Sequence, residues 1–142
     1  MAETSPATDI GALTTFGKVV DNTYTALAEV TELTLPETAR DSVDFTHYGS
    51  PDLHREFKPG WSDAGEASVT YNLVPGLADD AVIATHLATR AVEAWRVVFP
   101  NGAKLDLKMF ATRHGRAVPI DDKMTGSATF KVSGKPVMTP VA

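Results

Sequence analysis

A chain of 142 residues with 43% apolar and 22% charged side chains has the composition of a soluble globular protein, and residues 1–142 are expected to form one domain with a real core. No apolar run approaches the ~18 residues of a membrane span, the start MAETSPATDI is unlike a signal peptide, and with 0 cysteines a disulfide framework is excluded. The net charge of -5 is uneven, -10 over residues 1–93 and +5 over residues 94–142. The basic residues of the second half stand singly along strand-like segments, which reads first as the solvated face of a sheet. Its functional reading is that copies of the chain dock acidic face to basic face.

Residues 1–10 carry no core-forming pattern and are expected to be a flexible arm. A first strand is predicted over Thr14–Val20, closed by an Asp21-Asn22 turn. Thr25–Leu35 reads as a longer strand whose alternation slips: Ala28 and Val30 share one face, Leu33 and Leu35 the other. That slip predicts a bulge or a change of sheet, and Pro36 ends the strand.

Arg40–Tyr48 begins as a strand, with Val43 and Phe45 alternating against Asp44 and Thr46. It leads into a long polar passage, His47 to Pro59, that holds Gly49, Pro51 and Pro59. Long connections of this kind either bind something or are disordered. With Phe57 and Trp61 along its return, the segment is read as a protruding arm, about residues 46–63, that packs on another subunit. Its candidate contact residues are Thr46, His47, Tyr48, Asp52, His54, Arg55, Phe57 and Trp61. In the free subunit the arm is expected to be mobile, ordering on assembly.

Ala67–Val74 follows as a clear strand, Val69, Tyr71 and Leu73 opposing Ser68, Thr70 and Asn72. The one predicted helix runs over about 79–95, with Asp79 or Asp80 as N-cap. Ile83, Leu87, Ala91 and Trp95 are spaced by four and predict its stripe against the β body; Thr85, Thr89, Arg90 and Glu93 face outward. Pro100-Asn101-Gly102 carries a hairpin signal. Ala103, Leu105, Leu107 and Met109 then alternate with charged residues until His114-Gly115-Arg116 interrupts. Ser127–Ser133 is a last strand, and residues 137–142 are read as a free tail. The fold class is therefore mainly β, an antiparallel sandwich or barrel with one flanking helix.

Chemistry-bearing patterns are few. His47, His54, His86 and His114 include no pair at metal-ligand spacing on a helix, and they read as solvated surface. Asp52 and His54 form only an i,i+2 pair, so no metal and no cofactor is expected. Asp121-Asp122 reads as a turn, no nucleophile motif is present, and no glycine-rich phosphate loop precedes the helix. An enzyme is the least supported class, since no acid, base and nucleophile come together.

The order of several segments resembles a known family. Ala28 to Pro36 resembles an early strand, and Arg40 to Ser50 the limb into a protruding loop. Phe57 to Glu66 resembles the return, Phe99-Pro100-Asn101-Gly102 the hairpin turn after the helix, and Ala128 to Pro136 the end of the domain. The family is the tail tube proteins of lambda-like, long-tailed, non-contractile bacteriophages or of gene transfer agents, and the resemblance covers most of residues 25–136. It implies a β-sandwich or barrel with a flanking helix, joined into hexameric rings that stack into a hollow tube for double-stranded DNA. Implied partners are a tape measure protein, a terminator and a baseplate or hub. The implied location is the tail of the virion or gene transfer agent particle, after synthesis in the bacterial cytoplasm. The sequence ends at Ala142 without the immunoglobulin-like domain of the longest members, which leaves the tube role intact.

A sliding duplex argues against strong phosphate binding, because each neutralised phosphate adds affinity by counterion release. A neutral or acidic lumen is therefore expected. Its candidate linings are the polar faces of Arg40–Tyr48, Ser68–Asn72 and Lys104–Lys108. Two rival readings remain open. One is a monomeric β-sandwich that binds a ligand or carbohydrate on Tyr48, Trp61 and Tyr71. The other is a different tail component, such as a terminator, a baseplate ring, or the tube of a contractile or secretion system.

Overall fold

The computed structural model describes residues 13–76 and 78–140, with the side chains of Ala78 and Asp79 left aside. The expected flexible segment over residues 1–10 lies outside the described residues, as does a capping role for the Asp79 side chain. Ten strands are found among the described residues: β1 (Thr15–Val20), β2 (Thr23–Ala26), β3 (Val30–Thr34), β4 (Ala39–Asp44), β5 (Phe57–Asp63), β6 (Glu66–Asn72), β7 (Glu93–Val98), β8 (Lys104–Ala117), β9 (Thr125–Val132) and β10 (Val137–Thr139). Helix α1 (Ala78–Thr89) lies between β6 and β7.

Eight strands form one antiparallel sheet in the order β2-β1-β7-β8-β9-β6-β3, with β10 also paired to β8. The end strands β2 and β3 are consecutive in the chain, and that forces the sheet to curl. Laid flat, seven strands would put β2 and β3 about 29 Å apart at ~4.8 Å per strand. The link from Ala26 to Val30 spans at most ~14 Å. Residues 23–34 thus act as one bent strand that closes a barrel. Leu27 N–H bonds Phe16 O of β1 at 2.8 Å, and Glu29 O accepts from Asn72 N–H of β6 at 3.0 Å. The bend falls at Glu29, whose φ is 54°, and a second irregularity follows between Val30 and Glu32. This is the change of partner that the slipping alternation predicts.

The core fills the curl. Phe16 stacks on Trp95 at 5.2 Å, and Trp95 meets Phe130 at 5.0 Å. Val69, Tyr71, Val97, Leu105, Leu107, Met109, Ala128 and Val132 complete it from alternating strand positions. Tyr71 is opposite Gly126, and its ring lies where a Cβ at 126 would come within 2.4 Å, so glycine is required there.

Three expectations need correcting. The helix ends at Thr89, not near residue 95. Thr89 Oγ1 donates to His86 O at 2.8 Å and Arg90 takes a positive φ of 59°, which stops the helix. Trp95 therefore belongs to β7, where Trp95 and Val97 point inward with period two; Leu87 and Ala91 are exposed. Of the predicted stripe only Ile83 packs from the helix, flanked at spacing three by Asp80 and His86.

Second, β8 is not interrupted at His114. It runs through to Ala117, with a bulge between Ala111 and Arg113. The bulge shifts parity: Leu105, Leu107, Met109 and Ala111 point inward before it, and His114 turns inward after it. Third, Val137–Thr139 is no free tail but pairs with Asp106, Leu105 and Lys104 of β8.

Candidate assembly surface

The remaining two strands, β4 and β5, pair only with each other. Their ladder runs from Ala39 opposite Asp63 to Asp44 opposite Phe57, forming a ribbon that projects from the body. Every residue of β4 is exposed, and β5 is exposed except for partial cover at Gly60. A two-stranded ribbon with no buried face is marginally stable in water. Apolar side chains nevertheless line it: Val43, Phe45, Tyr48, Leu53, Phe57 and Trp61 are all solvent-facing.

The ribbon is shaped by local chemistry. At its root a bulge sets Gly60 and Trp61 against Asp41 alone, which re-aims Trp61 outward at 88% exposure. Arg40 Nη1 donates to Gly60 O at 3.1 Å beside it. Asp63 anchors the root to the body, accepting from Gly65 N–H at 2.9 Å and from Lys131 Nζ at 2.9 Å. Those two donors hold its carboxyl below the usual range, the Gly65 amide foremost. Gly65 has a φ of 84°, and a Cβ there would meet Glu37 O at 2.5 Å, so only glycine allows this close crossing.

The tip is internally bonded. Phe45 N–H reaches Glu56 O at 2.8 Å, and Glu56 N–H reaches Thr46 Oγ1 at 2.9 Å. Thr46 N–H donates to Asp44 Oδ1 at 2.8 Å, and Thr46, through its side chain foremost and then this N–H, holds the Asp44 carboxyl down. His47 Nδ1 accepts from Gly49 N–H at 3.0 Å, while its Nε2 lies 3.4 Å from Glu56 Oε2. Arg55 reaches Asp44 at 3.5 Å, and Lys58 Nζ stands 4.9 Å over the Phe45 ring. Tyr48, Asp52 and His54 point into solvent around a 3-10 turn, Pro51–Leu53. The structure thus brings Thr46, His47, Tyr48, Asp52, His54, Arg55, Phe57 and Trp61 onto one projecting element. Val43, Phe45 and Leu53 belong with them; the alternation of Val43 and Phe45 in an otherwise polar stretch is the sequence signal for two of these.

The body holds polar clusters that sequence reasoning missed. His86 and His114 are not solvated surface. His86 is buried, and its Nε2 accepts from Ala111 N–H at 3.0 Å, covering the β8 edge just beyond the end of β7. Its Nδ1–H therefore donates to Glu93 Oε2 at 2.6 Å, and Lys18 pairs with the same oxygen. Burial pushes the Glu93 carboxyl up, but the Lys18 and His86 contacts outweigh it and leave it low. In a second cluster, Asp80 accepts from Tyr71 Oη at 2.8 Å and from Arg116 Nη2 at 2.7 Å. His114 Nε2 lies 2.7 Å from Tyr71 Oη. Both clusters fasten α1 to the strands. Tyr71 is 2% exposed and cannot share a stacking platform with Tyr48 and Trp61.

The family model described as lambda phage tail tube protein, TTP, matches residues 11–139. The chain belongs to the lambda phage tail tube protein family. It is a structural tail tube protein rather than an enzyme, and its place is the tail of the particle.

Solved structures carry the same fold. A chain from the virion of a native gene transfer agent particle is 15% identical with a TM-score of 0.75, covering 94% of this chain and 100% of that one. A chain from the tail of an empty gene transfer agent particle, refined with C6 symmetry, is 14% identical with a TM-score of 0.74 over 94% and 100%. The SPP1 tail tube gives 13% identity and a TM-score of 0.67 over 88% of this tail tube protein and 74% of that chain. No curated protein sequence matches the chain.

Proposed function

We propose that copies of this chain close side by side into hexameric rings, and that the rings stack into the hollow tail tube that conducts double-stranded DNA. The arm from Thr46 to Trp61 joins one ring to the next. The observation that carries this reading is the β4–β5 ribbon, with six large apolar side chains in solvent and no face covered by its own body. A contact between different patches of identical subunits closes into a ring when it rotates and propagates when it translates. The six-fold symmetry of the gene transfer agent tail supports the ring number. Stacked rings would meet a tape measure protein within the tube, a terminator at one end and a baseplate or hub at the other.

Replacing Thr46–Pro59 with a short turn tests the arm. The expected product is a folded subunit with an unchanged melt that forms no tubes in negative-stain microscopy. Normal tubes from this variant overturn the assignment. Because DNA must slide, titration of the protein with free duplex at low salt is expected to show no tight binding. A steep, salt-sensitive association would contradict a conducting lumen.

A further inference from the structure

The far end of the arm has features that its own subunit does not use. Asp52 and Leu53 both adopt left-handed backbone angles, with φ of 53° and 56°. The left-handed region is disfavoured for non-glycine residues, yet the turn buries neither side chain. Leu53 is 100% exposed, and Asp52 has no cationic partner among the described residues. The tip therefore presents an apolar side chain beside an unpaired carboxylate.

The complement lies beside the arm's base. An open groove crosses β1, β7, β8 and β10, with Val19, Ala94 and Val137 among its apolar lining. Lys108 and Lys135 stand at this groove, and neither has a carboxylate partner among the described residues. Arg96 and Asp106 also line it but pair with each other at 2.7 Å. Gly134 and Lys135 border both this groove and the cleft at Trp61, so the groove is one link away from the root of the arm. From root to end, the ladder spans about 17 Å at ~3.3 Å per residue, and the tip extends it further. A domain of this length has a radius of gyration of roughly 14 Å. A second copy displaced along the arm by that reach sets its groove at the tip.

We propose that Leu53 and Asp52 of one copy seat in the groove between Lys108 and Lys135 of a second copy. Leu53 meets the apolar floor, and the Asp52 carboxylate stands between two ammonium groups. Tip and groove are different patches, so the contact is heterologous and repeats without closing. The inference rests on the reading of the arm as an inter-ring contact and names its receiving site.

Because the chain has no cysteine, site-directed cross-linking is clean. Oxidised tubes of the double variant Leu53→Cys, Val137→Cys are expected to give a ladder of disulfide-linked oligomers, and neither single variant gives one. Independently, Asp52→Lys should lower tube yield at low salt about tenfold, as should Lys108→Glu with Lys135→Glu; combining all three substitutions restores it. These positions are exposed, so the melts should be unchanged, which separates misfolding from failed docking. Tubes without a ladder, or a triple variant as defective as its parents while melting normally, overturn the groove. The underlying reading fails differently: it falls if the chain lacking Thr46–Pro59 forms normal tubes. Arm-dependent tubes that ignore Lys108 and Lys135 remove only this receiving site.

Discussion

The chain has 2 tryptophans, and they stand in regions of opposite character. Trp95 is 0% exposed, sandwiched by Phe16, Phe130 and His86 inside the curled sheet. Trp61 is 88% exposed at the bulged root of the ribbon. Both sit on antiparallel strands, so strand geometry does not separate them. What differs is whether the strand's neighbours return to cover it. The body packs Trp95 and its aromatic neighbours within the chain and pairs the inward-turned Asp80, His86 and His114 there too. The ribbon pairs its two strands only with each other and leaves its apolar side chains in solvent.

Removing Trp95 should give the largest loss of stability. Trp95→Ala opens a cavity among fully buried aromatics and is expected to cost about 3–5 kcal/mol, read as a large drop in denaturation midpoint. A loss under about 1 kcal/mol would mean that the core is not organised around this ring.

The Asp80 cluster should matter less, and its signature is pH. Asp80→Ala removes the carboxylate to which Tyr71 Oη and Arg116 donate and is expected to cost about 1–3 kcal/mol at neutral pH. The Arg116 hydrogen bonds, foremost, hold the Asp80 carboxyl below its ordinary value of 3.8. A lowered folded-state value gives stability that is fully present above the unfolded value and is lost as pH falls through the folded one. The unsubstituted protein should lose this advantage on acidification from about pH 4 downward, so the two melts converge there. A gap that stays constant down to pH 2 would remove the ionised carboxylate as its cause.

The same contrast explains what was legible in the sequence. Period-two alternation located β6, β9 and the first half of β8, because a half-buried strand must alternate. The slip after Thr25 carried the change of partner that closes the barrel. Two features were hidden by competing periods. Ile83, Leu87, Ala91 and Trp95 imitate a helical stripe, although Trp95 and Val97 obey the strand period that tertiary packing enforces. The bulge near Thr112 changed the inward parity, so His114 and Arg116 looked like a break when they were reaching Asp80. The arm was legible for a different reason: a long polar insertion with scattered aromatics has no core to explain it.

The smallest stability change should come from Trp61→Ala. Its side chain stands in solvent, so truncation is expected to shift stability by no more than about 0.5 kcal/mol. Exposed tryptophans that become buried on association rank among the residues that dominate an interface, at about 2 kcal/mol or more each. Two kcal/mol per contact is roughly a thirtyfold change in a single association constant, and a tube repeats the contact at every copy. The variant should therefore melt with the parent yet raise the protein concentration at which tubes first appear by more than tenfold. That pairing of outcomes is specific. Truncating a core tryptophan would lower the melt and raise that concentration, and truncating a tryptophan with no partner would change neither. If the critical concentration of Trp61→Ala matches the parent's, the root of the arm is not part of the contact, and the assembly surface contracts to the tip between Thr46 and Phe57.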